Sequence, residues 1–162
     1  MSNKLLDMMK DEAADYVDVR FTDPRGKLQH VTLCADQVDE DFIAEGFMFD
    51  GSSIEGWKSI EASDMKLMLD VNSAYVDPFY AEKTVCVHCS VVEPDTGEAY
   101  DRDPRGTAQK AEAYLKSTGI GDVAYMGPEA EFFLFDDVRY SNTINKVSFE
   151  VDATDASWNT DT

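Results

Sequence analysis

Two stretches of this chain carry residues whose types and spacing could do chemistry. The first is Phe49-Asp50-Gly51-Ser52-Ser53-Ile54-Glu55-Gly56-Trp57. Glycines at 51 and 56 with serines between them predict a shaped loop rather than a helix or strand. A surface linker of this polarity does not ordinarily carry an aromatic at each end, so the loop is expected to be tied down. Asp50 at its tip is then a candidate working group. The other reading is a packed connection with no chemistry, and composition alone leaves both open.

The second stretch is Gly127-Pro128-Glu129-Ala130-Glu131-Phe132-Phe133-Leu134. On a strand, residues two apart share a face, with side chains roughly 6.5–7 Å apart. That puts Glu129, Glu131, Phe133 and Phe135 on one face and Ala130, Phe132 and Leu134 on the other, and predicts a strand buried on both. Two carboxylates there are costly without cations, either arginines or metal ions. Oxygen donors suit Mg²⁺ or Mn²⁺, and the spacing suits one glutamate on each of two adjacent ions. In the alternative, the start of the strand emerges into solvent and needs no partner.

A third cluster, Cys86-Val87-His88-Cys89, invites a metal reading but lacks the second ligand pair of a structural zinc site. Inside the apolar run 84–92 its cysteines read as small core residues. Three cysteines are also too few for a disulfide scaffold.

The elements around these residues follow from periodicity. Residues 4–14 predict an amphipathic helix behind a Ser2 or Asn3 cap. Val17, Val19 and Phe21 alternate with Asp18, Arg20 and Thr22, and Asp23-Pro24-Arg25-Gly26 turns the chain into a second strand over 28–33. Residues 36–45 predict a short helix ended by Gly46, with Phe42 and Ile43 inward. Strands are predicted over 65–71 and 84–92. Pro104 sits where a helix can start, so a helix is predicted over 107–117, closed by Gly119. Strands follow over 122–126, 129–135, 138–140 and 146–151. The class is α+β with a mixed sheet. The elements that begin at Pro104 then stop in a polar tail, residues 153–162, without closing, so the chain reads as truncated or as the visible part of a longer protein.

A net charge of −19 repels phosphate backbones, so nucleic acid and anionic membranes are poor candidates as partners. No apolar run approaches membrane-spanning length, and no signal region precedes Lys4, so a cytoplasmic location is expected.

The first stretch resembles the motif of bacterial-type glutamine synthetases: an aromatic, Asp-Gly-Ser-Ser, a spacer, a small polar triplet ending in an acid, then an apolar residue. Here it reads Phe49, Asp50-Gly51-Ser52-Ser53, the eight residues Ile54 to Glu61, Ala62-Ser63-Asp64 and Leu67. Gly127 to Leu134 resembles the same family's first metal-binding strand. The resemblance runs from Leu5 to the end and covers the N-terminal third of such an enzyme. It implies a β-grasp domain over residues 1–103, followed over 104–162 by the opening helix and strands of an incomplete catalytic domain.

The implied reaction joins ammonia to glutamate at the expense of ATP, through γ-glutamyl phosphate. The resemblance gives Glu129 and Glu131 one divalent ion each. It sends Asp50 into the active site of a neighbouring subunit in a homo-oligomeric ring, to bind ammonium and take its proton. Ser53 could hydrogen-bond there. Trp57 either walls that site against water or is a plain packing aromatic. Two rival readings are a non-catalytic β-grasp interaction module and a related ligase using a different amine.

Overall fold

A stripe of Leu5, Met8 and Met9 between charges makes the first helix, α1, Lys4–Asp11, in the computed structural model, which describes residues 3–159. Asn3 is its cap, with Oδ1 accepting from the Leu5 amide at 3.2 Å. The alternative cap Ser2 and the tail residues Thr160 to Thr162 lie outside the described residues. The hairpin forms as its alternation predicts. β1, Tyr16–Thr22, pairs antiparallel with β2, Leu28–Cys34, in the register Val19 to Val31. The predicted helix over 36–45 divides into a 3-10 turn, Ala35–Gln37, and α2, Glu40–Glu45, capped by Asp39. Gly46, at φ +79°, ends α2 in a conformation that side chains rarely adopt.

β3, Phe47–Asp50, follows at once, and β4, Asp64–Leu69, returns beside it. The short β5, Tyr75–Val76, and the long β6, Thr84–Val92, complete a six-stranded sheet. The strand order is β2-β1-β6-β4-β3, with β5 also on β6. β1 and β6 run parallel while the other pairs are antiparallel, so the sheet is mixed. Its apolar face carries Val17, Val19, Leu67, Val85, Val87 and Val91, all fully buried. Leu5 of α1 closes over the same core at 0% exposure, and such a side chain contributes about 1.5–3 kcal/mol when buried.

The other face of β1 is polar but also covered. Asp18 is fully buried and accepts from Arg20 Nε at 2.6 Å, Thr32 Oγ1 at 2.7 Å and His30 Nδ1 at 2.8 Å. Arg20 continues the network to the Tyr75 hydroxyl at 2.6 Å and to Asp77 at 2.8 Å. Burial alone would raise the Asp18 carboxyl, but these three donors hold it below the ordinary carboxylate value. Cys86 and Cys89 are buried strand residues, as expected, and burial pushes their thiols up to about 11 and about 12. Among the described residues no group of three or more His, Cys, Asp or Glu is arranged to hold a metal.

α3, Pro104–Thr118, has Pro104 in its first turn and ends on left-handed Gly119, as the sequence predicts. Asp103, almost fully buried, is its cap. Oδ1 accepts from the Arg105 amide and Oδ2 from the Val91 amide, both at 3.0 Å, so one carboxylate ties the helix start to the end of β6. Arg105 pairs with Asp70.

The chain divides into two compact units, residues up to 124 and residues from 125 onward. Among its described residues the second unit contains one hairpin, β7, Asp137–Thr143, against β8, Lys146–Asp152. The strands expected over 122–126 and 129–135 are not formed: both stretches lack regular secondary structure and residues 122–135 are exposed throughout. The expectation of a strand buried on both faces is therefore corrected. A strand needs a neighbour to take its amides and carbonyls, and among the described residues none pairs with this segment. Its alternation survives locally, because the Phe133 and Phe135 rings stack at 6.2 Å on one side.

Candidate active-site loop and acidic segment

The loop begins inside the sheet. Phe49 and Asp50 are the last residues of β3, paired with Met65 and Asp64 of β4, so the loop proper starts at Gly51, two residues later than the Phe49 start read from the sequence. Gly51–Ser53 then form a 3-10 turn. The Gly51 amide donates to the Ser63 carbonyl at 2.7 Å and locks the turn to the start of β4. A Cβ on Gly51 would lie 2.4 Å from Met65 Cγ and 3.0 Å from the Ser63 carbonyl oxygen, so the close approach requires glycine.

Asp50 is exposed at the head of this turn. Its Oδ1 accepts twice from one residue, from the Ser52 amide at 2.8 Å and the Ser52 hydroxyl at 2.6 Å. The Ser52 hydroxyl first, then the Ser52 amide, hold the Asp50 carboxyl below the ordinary value, and the Ser63 hydroxyl adds a smaller pull. An exposed carboxylate kept ionised in this way attracts a small cation. Ser53, the serine singled out from the sequence, is exposed, and the hydroxyl that reaches Asp50 is that of Ser52. Ser52 could have been found from its position two residues after an aspartate, the reach of an Asx turn.

Flanking aromatics do tie the loop down. Trp57 is 5% exposed, with ring centroids 5.5 Å from Phe21, 6.0 Å from Phe49 and 5.5 Å from Tyr100. Three cations clasp the rest. Arg25 pairs with Glu55. Arg102 donates to the carbonyls of Gly56 at 2.5 Å and Trp57 at 3.3 Å. Lys58 sits over the Tyr100 ring at 5.1 Å and pairs with Glu93 at 2.8 Å. No composition signal marked Arg25 and Arg102, which reach the loop only through folding.

Glu129 and Glu131 belong to the second unit, where both are exposed on the unpaired segment. Farther along it, Phe132 to Phe135 line an open groove of about 430 Å³ with Ala153, Asp155, Ala156 and Trp158. The donor chemistry of the two glutamates fits a hard divalent ion. Two carboxylates are fewer donors than such an ion requires, and the described residues supply no third to a common site.

The mixed sheet with its hairpin, covering helix and returning strands defines a β-grasp unit. Family models match in tandem: "Glutamine synthetase, beta-Grasp domain" over residues 13–94 and "Glutamine synthetase, catalytic domain" over 101–161. The chain belongs to the glutamine synthetase family. It is 75% identical to a glutamine synthetase of Cereibacter sphaeroides over 96% of this chain and 33% of that protein. It is 73% identical to one of Rhodobacter capsulatus, over 98% and 36%. In fold it is similar to a glutamine synthetase of Plasmodium falciparum solved by cryo-electron microscopy, with a TM-score of 0.68 at 23% identity, covering 94% of this chain and 30% of that one. The chain spans about a third of the length of the curated relatives it matches.

Proposed function

We propose that this chain is the N-terminal portion of a glutamine synthetase, which ligates ammonia to L-glutamate through γ-glutamyl phosphate with ATP as co-substrate. The observation that carries the reading is the tandem match of both family domains, in order, with the Asp50 loop built as a sheet-anchored turn. Residues 1–103 form the β-grasp domain and 104–162 open the catalytic domain, with the boundary at the Asp103 cap.

In this reading Asp50 binds NH₄⁺ by charge and accepts one of its protons, leaving NH₃ to attack the acyl phosphate and a neutral carboxylic acid on Asp50. Ser53 lines the same site, and Trp57 backs it against water from within the aromatic cluster. Glu129 and Glu131 would each hold one Mg²⁺ or Mn²⁺, which when bound supply charge neutralisation for phosphoryl transfer. The loop serves a neighbouring subunit of a homo-oligomeric ring in the cytoplasm. Among the described residues no helix is long and apolar enough to cross a membrane.

The test is ammonium- and glutamate-dependent ADP release by the full-length protein, compared with Asp50→Asn. The substitution keeps shape but removes the charge and the proton acceptor. We expect kcat/KM for ammonium to fall about 100-fold or more, with phosphate transfer to glutamate less affected. Unchanged ammonium kinetics would sink the role of Asp50, and no ammonium-dependent turnover in the parent would sink the synthetase reading.

A further inference from the structure

Asp50 is held chiefly at one oxygen by one residue, with the Ser63 hydroxyl adding a smaller pull. Both the amide and the hydroxyl of Ser52 donate to Oδ1, at 2.8 and 2.6 Å, while the neighbouring serine, Ser53, is exposed. The backbone that places Ser52 there is itself pinned. Gly51 donates to the Ser63 carbonyl at 2.7 Å, and there is no room for a side chain against Met65 and Ser63. Asp50 in turn sits in register with Asp64 at the end of the β3–β4 ladder. The carboxylate therefore has a fixed backbone before it, a fixed backbone after it and two donors on one oxygen.

We infer that Ser52 is the positioning residue for Asp50, orienting its carboxylate toward an incoming ammonium ion through paired amide and hydroxyl donation to Oδ1. This rests on the ammonium-binding reading of Asp50. An ionised carboxylate has about four lone-pair sites, and Ser52 fills two, so capacity for a cationic N–H donor remains on an exposed group. Donors to the charged form also stabilise it against protonation, which strengthens the group as an anchor for a cation and weakens it as a base. Ser52 sets that balance. Removing its hydroxyl leaves the amide donor in place, so the carboxylate gains rotamer freedom without losing its charge.

The test uses the full-length synthetase with Ser52→Ala, Ser52→Thr and, in parallel, Asp50→Asn. For Ser52→Ala we expect KM for ammonium to rise about tenfold or more, the scale of one lost hydrogen bond to a charged group. KM for glutamate and ATP should stay put, and the acid limb of kcat/KM for ammonium should move to higher pH. Ser52→Thr keeps a hydroxyl and should restore both. A structure of the Ser52→Ala enzyme should show the Asp50 carboxylate out of its parental rotamer, a readout independent of ammonium. If Asp50→Asn leaves ammonium kinetics intact, the role of Asp50 fails, and the structure alone then judges Ser52. If Asp50→Asn impairs ammonium use while Ser52→Ala changes neither the acid limb nor the rotamer, the positioning role is overturned. A uniform rise in all three KM values, unrelieved by threonine, overturns it too.

Discussion

At the scale of single residues, three carboxylate arrangements in this chain behave differently because their surroundings differ. Asp18 is buried and triply bonded, Asp50 is exposed and held by Ser52, and Glu129 and Glu131 stand exposed on an unpaired segment. Asp18→Asn should destabilise the chain by about 3 kcal/mol at pH 7, because it leaves the Arg20 charge short of a partner in a covered site. The sign of the pH dependence follows from the lowered carboxyl. Its stabilisation is fully present above the unfolded value near pH 4 and is lost as pH falls through the lower folded one. Thermal melts from pH 7 to pH 2 should therefore show the gap between parent and variant narrowing below about pH 4. A gap that stays constant would mean Asp18 titrates normally. In the full-length enzyme, Glu129→Ala and Glu131→Ala should each weaken Mn²⁺ binding by about tenfold or more, since even outer groups of a metal site matter that much. Titration of the two variants with parental affinity would remove the metal-ligand assignment.

At the scale of elements, Asp103 does two jobs with one side chain. It caps α3 through Arg105 and takes the amide of Val91 at the end of β6. Asp103→Ala loses the cap, worth about 0.5–2 kcal/mol, and strands the Val91 amide, worth about 1–3 kcal/mol. We expect a combined loss of about 2–4 kcal/mol in denaturant unfolding, and Asp103→Asn should recover part of it. A loss below half a kilocalorie would mean that water replaces both bonds. The 129–135 segment shows the opposite case. Its pattern is that of a strand, yet it has no ladder partner among the described residues and forms no regular secondary structure.

At the scale of the whole molecule, a 162-residue chain carries Phe132, Phe133 and Leu134 at 75%, 86% and 79% exposure. Contiguous apolar surface of this kind drives association. The isolated chain should self-associate in sedimentation velocity and show no glutamate- and ammonia-dependent ATP hydrolysis at any concentration. On the proposed assignment, Glu129 and Glu131 would give each hard cation a single protein ligand, too few for a stable site. Reproducible activity of the purified chain, free of full-length contaminant, would show that the active site is complete within it.

Local rules were enough for much of this protein. Alternation in 16–22 set β1 and its hairpin, Pro104 and Gly119 bounded α3, and the aromatics at 49 and 57 announced an anchored loop. The family was legible too, because a motif records residue types at fixed spacing. Tertiary structure alone decided the rest. The sequence marked the loop as beginning at Phe49, whereas β4 captures Phe49 and Asp50 into a strand, since pairing outweighs the nearby glycines. The Ser52 bond to Asp50 went unread, although a serine two residues after an aspartate is a local signal for it. The sequence predicted a buried strand at Glu129, but burial is a property of two surfaces, and a single stretch of sequence describes only one of them.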